Sequence, residues 1–531
     1  MDAIAPSASE IQGADRAAIS AAVEIGKHYD VIVIGSGAGG SSISLSLARR
    51  GRSVLVVERG NFLRPQPRSD SDPVGRYLYD VVKDPADAIS FVGGQTKFYG
   101  AALYRLRRSN FHAIDHGCGV SPAWPISYTE LEPYYDQAEK LYRVHGALEG
   151  DPTEPPRASP YPYPPIPHHP VIAEVIERLR QSGTPVSPIP KALDYRPGGK
   201  CVLCPTCDAY FCQVDGKMDA EVAALRPALA TGNVHLITDT ECLRVLTDPR
   251  GTRAIGATLR RNGAIEIVHA DTVVVAAGIP GSAALLRRSR TERHPDGLGN
   301  AGGALGRYLS GHSVGHIFPL IGWRVMPAIH SKTFAINTFH DGAPDWPYPL
   351  GIIQTAGQMP FWQTAHGPIR PIAEFIGRRS LTCFYATEAL PTRQSGLVFE
   401  NDKVVGKVHP IHNLAAFEKL RKIAADAFRH AGYRVITRRR QPYLWHDVGT
   451  ARLGADPSQS VVDPNCRVHG IEGLYVVDQS VLPSAGAVNT ALTIIALALR
   501  AGDHIAKSTV APSCQSELHA FRPNEPLTVS T

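Results

Sequence analysis

At 531 residues with 43% hydrophobic content, the chain is long enough for two or more domains and for a large buried core. A net charge of +6, spread over 55 basic and 49 acidic residues, leaves no basic run to serve as a nucleic-acid footprint; RRSR at 287–290 and RRR at 438–440 read as solvated faces. No stretch approaches the length of a membrane span, and TALTIIALAL at 490–499 has the length of a buried helix.

Residues 1–27 read as a loose leader without the charged n-region and apolar core of a secretory signal. Together with the missing span, this points to the cytoplasm, where thiols stay reduced. YDVIVIGSGAGGSSISLSLARRGRSVLVVERG at 29–60 follows as a βαβ unit: a β-branched run ends in glycines, a helical segment follows, and a second apolar strand ends at Glu58. The Pro- and Tyr-rich segment at 151–170 predicts an extended connector, because proline removes backbone donors. TVVVAAG at 272–278 predicts a further strand. Between 310 and 410 short runs such as TFAINTFH and LTCFYATEAL predict an antiparallel sheet. LAAFEKLRKIAADAFRHAG at 414–432 and TALTIIALALRAGDHIAK at 490–507 predict helices, and LYVVD at 474–478 a strand.

GSGAGG places Gly35, Gly37 and Gly40 in G-x-G-x-x-G spacing, for a tight turn, close approach to a pyrophosphate and close helix–strand packing. The helix N-terminus behind them suits phosphate, and Glu58 lies at the usual offset for an acid that accepts from ribose hydroxyls. GLGNAG at 297–302 has the same spacing but follows no strand, so it is a chance match. The motif by itself leaves NAD and FAD open.

Several other segments resemble the glucose–methanol–choline (GMC) oxidoreductases, a family of FAD-dependent alcohol oxidases and dehydrogenases. They are WHDVGTARLG (445–454), GAVNTALTIIALALRAGDHI (486–505), VGGQTKFYGAALYRLR (92–107), AAGIPGSAALLRRS (276–289), GLGNAGGALGRYLSGH (297–312) and AWPISYTELEPYYDQAEKLY (123–142). The resemblance runs in order from residue 28 to about 508. It implies an α/β (α+β overall) architecture: a Rossmann-like FAD-binding domain in three pieces, 28–120, 200–310 and 440–510, and a substrate domain with an antiparallel sheet at 121–199 and 311–439. Residues 1–27 and 511–531 would be flexible termini.

The same resemblance implies that Gly35, Ser36, Gly37, Gly40 and Glu58 hold the ADP part of FAD. Gly94 would lie in the flavin-contacting loop, with Gly100 and Ala101 against the ring. The backbone of Cys242 would contact adenine, Ala277 would lie in the second signature, and Asp478 would reach the pyrophosphate or ribityl chain. Asn489 and Thr490 would lie beside the flavin. The loop GGQTKFYGAA has no histidine, so FAD is expected to be noncovalent.

Oxidising an alcohol removes a hydride from carbon and a proton from oxygen. Flavin N5 accepts the hydride, and a neutral histidine suits the proton. The family pattern gives the base role to His446 and gives Asn489 the task of orienting the hydroxyl. CVLCPTCDAYFC at 201–212 resembles a segment of bacterial members that oxidise sugars, aminoglycosides (at C6') and glycosides (at C3). The expected substrate is therefore a sugar, amino sugar or glycoside hydroxyl, with O2 or a redox partner as electron acceptor.

Cys201, Cys204, Cys207 and Cys212 follow C-x2-C-x2-C-x4-C, one residue longer in the last gap than a ferredoxin run. A cysteine-rich loop at the substrate entrance, an iron–sulfur cluster, a zinc site and a redox pair all stay open. The cluster would make the chain a sugar dehydrogenase subunit that passes electrons to a cytochrome or other acceptor.

Overall fold

The computed structural model of the chain describes residues 28–63, 90–205, 207–323, 325–327, 329–357, 367–437 and 441–508. The termini expected to be flexible, 1–27 and 511–531, lie outside the described residues, as does RRR at 438–440. In chain order the framing elements are β1 (His28–Ile34), α1 (Ala38–Ala48), β2 (Val54–Val57), α2 (Tyr128–Leu141), α3 (Pro170–Gln181), β3 (Val234–Ile237), β4 (Thr240–Thr247), β5 (Ala254–Arg261) and β6 (Ala264–Val275). They continue with α4 (Gly278–Arg288), β7 (Ser310–Leu320), β8 (Phe334–Ile336), β9 (Ile352–Thr355), β10 (Cys383–Leu390), α5 (Leu414–His430), β11 (Arg434–Thr437), β12 (Tyr443–Val448), β13 (Leu474–Val476) and α6 (Ala491–Lys507).

The first sheet has seven strands in the order β3–β2–β1–β6–β5–β4, with β13 paired to β6. The β3/β2, β2/β1, β1/β6 and β6/β13 pairs are parallel, and β4, β5 and β6 form an antiparallel extension. β1 and β2 are near-continuous Val/Ile/Leu runs because both faces of a parallel sheet are covered. Helix α1 packs on these strands and against α6. That contact is close because Gly502 has no side chain: a Cβ there would come within 2.5 Å of Ser46 Oγ. The hydroxyls of α1 are absorbed inside the layer, with Ser44 donating to the Gly40 carbonyl and Ser42 bonded to Tyr142 OH at 3.0 Å.

The second sheet has eight strands, all antiparallel, in the order β11–β7–β10–β9–β8–Ser187–Pro188. Ile411–His412 pairs with β10 and β12 pairs with β7. Period-2 alternation sorts the two faces. Cys383 and Tyr385 of β10 pack with Phe417, Leu420 and Phe428 of α5, whereas Phe384 and Ala386 join the core of the first sheet. The second sheet is therefore sandwiched between α5 and the first unit, and the candidate site lies along that junction.

The helices expected at 414–432 and 490–507 form, and 151–169 contains no helix. TFAINTFH shrinks to the three-residue β8, because the following residues turn back on themselves through the His340 N–H bond to the Asn337 carbonyl. Two segments sit on the other side of the expected domain boundaries. Helix α2, assigned above to the substrate side, packs on α6 and places Leu131, Tyr135 and Ala138 in the first core. Strand β12, assigned to the FAD side, is hydrogen-bonded into the second sheet. Apolar burial and ladder pairing decide these memberships, and the sequence motifs do not reveal them.

Candidate active site

The glycine turn connects β1 to α1. Gly35 adopts φ +100°, and a Cβ there would sit 2.4 Å from the Ala276 carbonyl oxygen. A Cβ at Gly40 would sit 2.0 Å from the Gly35 carbonyl oxygen, which packs the helix start onto the strand. Gly37 is different: nothing lies within 4 Å of its Cβ direction. Helix α1 begins there with no side-chain cap and no acid in its first turn. Free N–H groups facing open space form the cradle a pyrophosphate needs. Glu58, buried at the end of β2, accepts from Ser36 N–H at 3.0 Å and from Gly60 N–H at 2.9 Å, and its remaining lone pairs can serve ribose hydroxyls. These residues fit the ADP half of FAD.

Around the cradle, Ala277 N–H donates to Ser282 Oγ at 3.1 Å. Asp478 accepts from Gly278 N–H and Ser480 N–H, each at 2.8 Å, and from Ser282 Oγ. The carboxylate of Asp478 thus ties β13 to the start of α4. Its backbone abuts the glycine turn, because a Cβ on Gly39 would come within 1.5 Å of the Val477 carbonyl oxygen. Gly39 is a fourth required glycine that the fingerprint spacing omits. Cys242 lies buried in β4, with its carbonyl accepting from Arg288. The strand starts beside Glu58, where Thr240 N–H donates to the Glu58 carbonyl at 3.1 Å.

The loop expected to contact the flavin packs directly on the glycine turn. Gly93 N–H donates to Ser36 Oγ at 3.1 Å, and a Cβ on Gly94 would lie 3.1 Å from Gly37 Cα. Ala101 is held at φ +54°, a region costly for a non-glycine residue. Lys191, fully buried, donates to the Gly100 carbonyl, and burial lowers its pKa to about 8.

The cysteine segment belongs to this neighbourhood. A Cβ on Gly100 would meet Asp208 Oδ1 at 2.2 Å and Lys332 Nζ at 2.6 Å. Asp208 pairs with Lys332 at 3.1 Å and accepts from Gly357 N–H at 3.1 Å. Its pKa is about 2: burial opposes ionisation, but Lys332 and Lys191 outweigh it. Lys217 ties the segment to the loop by donating to the carbonyls of Lys97, Tyr99, Cys207 and Tyr210. Cys201, Cys204, Cys207 and Cys212 line one narrow cavity of about 20 Å³ together with His330, and none of the four is in a disulfide. Burial, then the other three thiols, push the Cys201 pKa up to about 11. Among the described residues no set of three or more His, Cys, Asp or Glu converges in a way that would hold a metal ion.

His446 lies in a bulge of β12. Trp445 pairs with His312 and Val448 with Ser310, so His446 and Asp447 together face the single residue Gly311. Such a bulge re-aims a side chain, and His446 takes φ +53° to do so. Gly311 makes room, since a Cβ there would lie 2.9 Å from the Trp445 carbonyl oxygen. His446 Nδ1 lies 2.9 Å from His312 Nδ1. The pKa of His446 falls well below the usual histidine range, first through burial and then through His312 and Lys332. A ring that stays neutral at physiological pH can take a proton.

Asn489 immediately precedes α6, whose N-cap residue Thr490 offers no side-chain cap. Asn489 Oδ1 accepts from Gln354 Nε2 of β9 at 3.0 Å, which leaves its amide N–H groups to donate. His312 Nε2 contacts the Ala485 carbonyl at 3.3 Å, so the 485–489 segment hangs between His312 and Gln354. The second sheet carries His446 and, through Gln354, holds Asn489, while Asp208 and Lys332 lie against Gly100. His312, Gln354, Lys332 and Asp208 were not singled out from sequence. They carry no spacing signal, because each reaches the site from a different element.

Two segments of the chain, 82–314 and 407–498, match the GMC oxidoreductase family, and residues 30–67 match an FAD-binding domain. The chain is 31% identical to paromamine 6'-oxidase from Streptomyces fradiae, over 91% of this chain and 93% of that protein. It is 27% identical to 2-methyl-1,2-propanediol dehydrogenase from Mycolicibacterium austroafricanum, over 90% and 95% respectively. Among solved structures, pyridoxine 4-oxidase from Mesorbium loti superposes with a TM-score of 0.58 at 17% identity, covering 90% of this chain and 99% of that one. The glycine-turn cradle for a dinucleotide, together with these matches, makes the chain an FAD-dependent member of the GMC oxidoreductase family.

Proposed function

We propose that the protein oxidises a hydroxyl of a sugar, amino sugar or glycoside to the carbonyl, with His446 as the base and Asn489 orienting the hydroxyl. The observation that carries the reading is His446 itself: an imidazole set in a bulge, with Nδ1 engaged by His312 at 2.9 Å and Nε2 left for the substrate. When bound, FAD supplies the two-electron acceptor that takes the hydride from the carbinol carbon. His446 takes the hydroxyl proton, and an Asn489 N–H donates to the same oxygen. The similarity to paromamine 6'-oxidase supports a sugar-type alcohol.

An anaerobic screen of sugars, glycosides and aminoglycosides tests this. Bleaching of the flavin by at least one of them is expected, and bleaching only by simple aliphatic alcohols would overturn the sugar assignment. FAD is held noncovalently, because the loop from Gly93 to Ala102 carries no histidine. Acid precipitation is expected to release the yellow cofactor, and a pellet that keeps its flavin would contradict this.

A second reading, in which an iron–sulfur cluster passes electrons to a redox partner, rests on the cysteine spacing alone, since the four thiols share a space of only about 20 Å³ and, among the described residues, do not converge as a metal-holding set. Iron analysis and oxygen consumption separate the two. Rapid peroxide formation by iron-free enzyme supports the oxidase, and iron with activity only toward artificial acceptors supports the dehydrogenase.

A further inference from the structure

We propose that His312 is a positioning residue that fixes the tautomer of His446, with the proton on Nδ1 and the lone pair on Nε2 free for the substrate hydroxyl. The inference rests on the reading of His446 as the base.

The chain of contacts allows one proton arrangement. His312 Nε2 lies 3.3 Å from the Ala485 carbonyl oxygen. A carbonyl only accepts, so this nitrogen carries the hydrogen. A neutral imidazole has a single N–H, so His312 Nδ1 is an acceptor. It lies 2.9 Å from His446 Nδ1, which therefore donates. The proton of neutral His446 is then spent on Nδ1, and Nε2 keeps its lone pair. The opposite tautomer would set two lone pairs against each other at Nδ1 and remove the base from the open side.

The carbonyl that starts the chain is itself held. Glu388 is the cross-strand partner of His312 and accepts from the N–H groups of Ala485 at 3.1 Å and Gly486 at 3.2 Å. His116 lies 3.5 Å from the other Glu388 oxygen. Both imidazoles stay neutral in this setting. Burial first lowers the pKa of His312 to about 4, with a smaller push from His340. His446 is faced by His312, Lys332 and Asp208, and the first two outweigh the third. On the same bulge, Asp447 is neutralised by Lys407. In the reaction the substrate O–H bond breaks and a new N–H forms on His446 Nε2, while the hydride leaves for FAD as above. The imidazolium produced still donates from Nδ1 to His312, so no second proton has to move.

Flavin-loaded His312→Leu and His312→Gln, with His446→Ala as reference, test the idea by anaerobic stopped flow across pH. The Leu variant removes the acceptor. It is expected to slow flavin reduction at saturating substrate at least about tenfold and to shift its pH profile, with little change in substrate affinity. The Gln variant, whose carbonyl oxygen can accept from Nδ1–H, is expected to recover most of the rate. Wild-type rates and pH profile in the Leu variant, or equal impairment in both, would overturn the role.

Should the variants fail to load flavin, 15N-histidine spectra of the wild type decide. Signals of His446, assigned by their loss in His446→Ala, are expected to show a protonated Nδ1, and a protonated Nε2 would sink the inference. A His446→Ala enzyme that reduces its flavin normally would defeat the base reading itself. A slow His446→Ala beside a fast His312→Leu would defeat only the positioning role.

Discussion

At the scale of single residues, the glycine turn separates two effects that the fingerprint merges. Gly40 and Gly39 are glycines because backbone oxygens lie 2.0 Å and 1.5 Å from where a Cβ would be. Gly37 has open space in that direction and an ordinary φ of −70°. Gly37→Ala should therefore leave the apoprotein within about 1 kcal/mol of wild type while lowering its FAD content, since the methyl enters the cradle. Gly40→Ala should cost about 1–3 kcal/mol or more through overpacking. Flavin-to-protein absorbance ratios and melting of the apo forms check both, and equal behaviour of the two variants would contradict the assignment. The fingerprint glycines and Glu58 were legible in the sequence because their spacing is dictated by local chain geometry. Gly39 was not, since its constraint comes from Val477, far along the chain.

At the scale of elements, the bulge in β12 decides whether His446 reaches the junction. Two residues opposite one is a register event, and WHDVGT gives no sign of it beyond family likeness. Gly311 supplies the space. Gly311→Ala is predicted to push a methyl against the Trp445 carbonyl, costing about 1–3 kcal/mol and slowing flavin reduction with FAD still bound. Unchanged reduction in the variant would mean that the bulge does not position the base. The cysteine segment shows the converse limit. Its cysteine spacing drew attention to metals, yet the segment meets the flavin loop through Asp208, which binds Lys332 and Gly357 from loops flanking the second sheet, and through Ala209 N–H, which donates to the Phe98 carbonyl. Helices α1 and α6 were readable from their patterns. The membership of α2 and β12 was not, because it follows from packing partners that are distant in sequence.

At the scale of the whole molecule, the candidate site lies between two sheets, and several histidines there have pKa values depressed by burial. Burial lowers the pKa of His116 and His312 to about 4 and of His330 to about 3, and holds His446 well below the ordinary value. A buried histidine with a depressed folded pKa contributes stability above its unfolded value of 6.5, and that stability is lost as pH falls toward the folded value. Each contributes up to about 1.4 kcal/mol per pH unit in that window. Glu388, raised to about 7 by burial, and Glu154 and Asp219, also raised by burial, act in the opposite sense, and the histidines outnumber them. Urea midpoints are predicted to fall steeply from neutral pH to the mildly acidic range, with net proton uptake on unfolding. Midpoints that do not change across this window would contradict the burial pattern.

The central claim is that His446 takes the substrate proton in an FAD-dependent oxidation of a sugar-type alcohol. The most direct measurement is anaerobic stopped-flow reduction of the flavin in wild type and in His446→Ala, both fully loaded with FAD, using the best substrate from the screen. The account predicts rapid bleaching in the wild type and a rate lower by about 10²-fold or more in the variant. Reduction of the variant at the wild-type rate would contradict it.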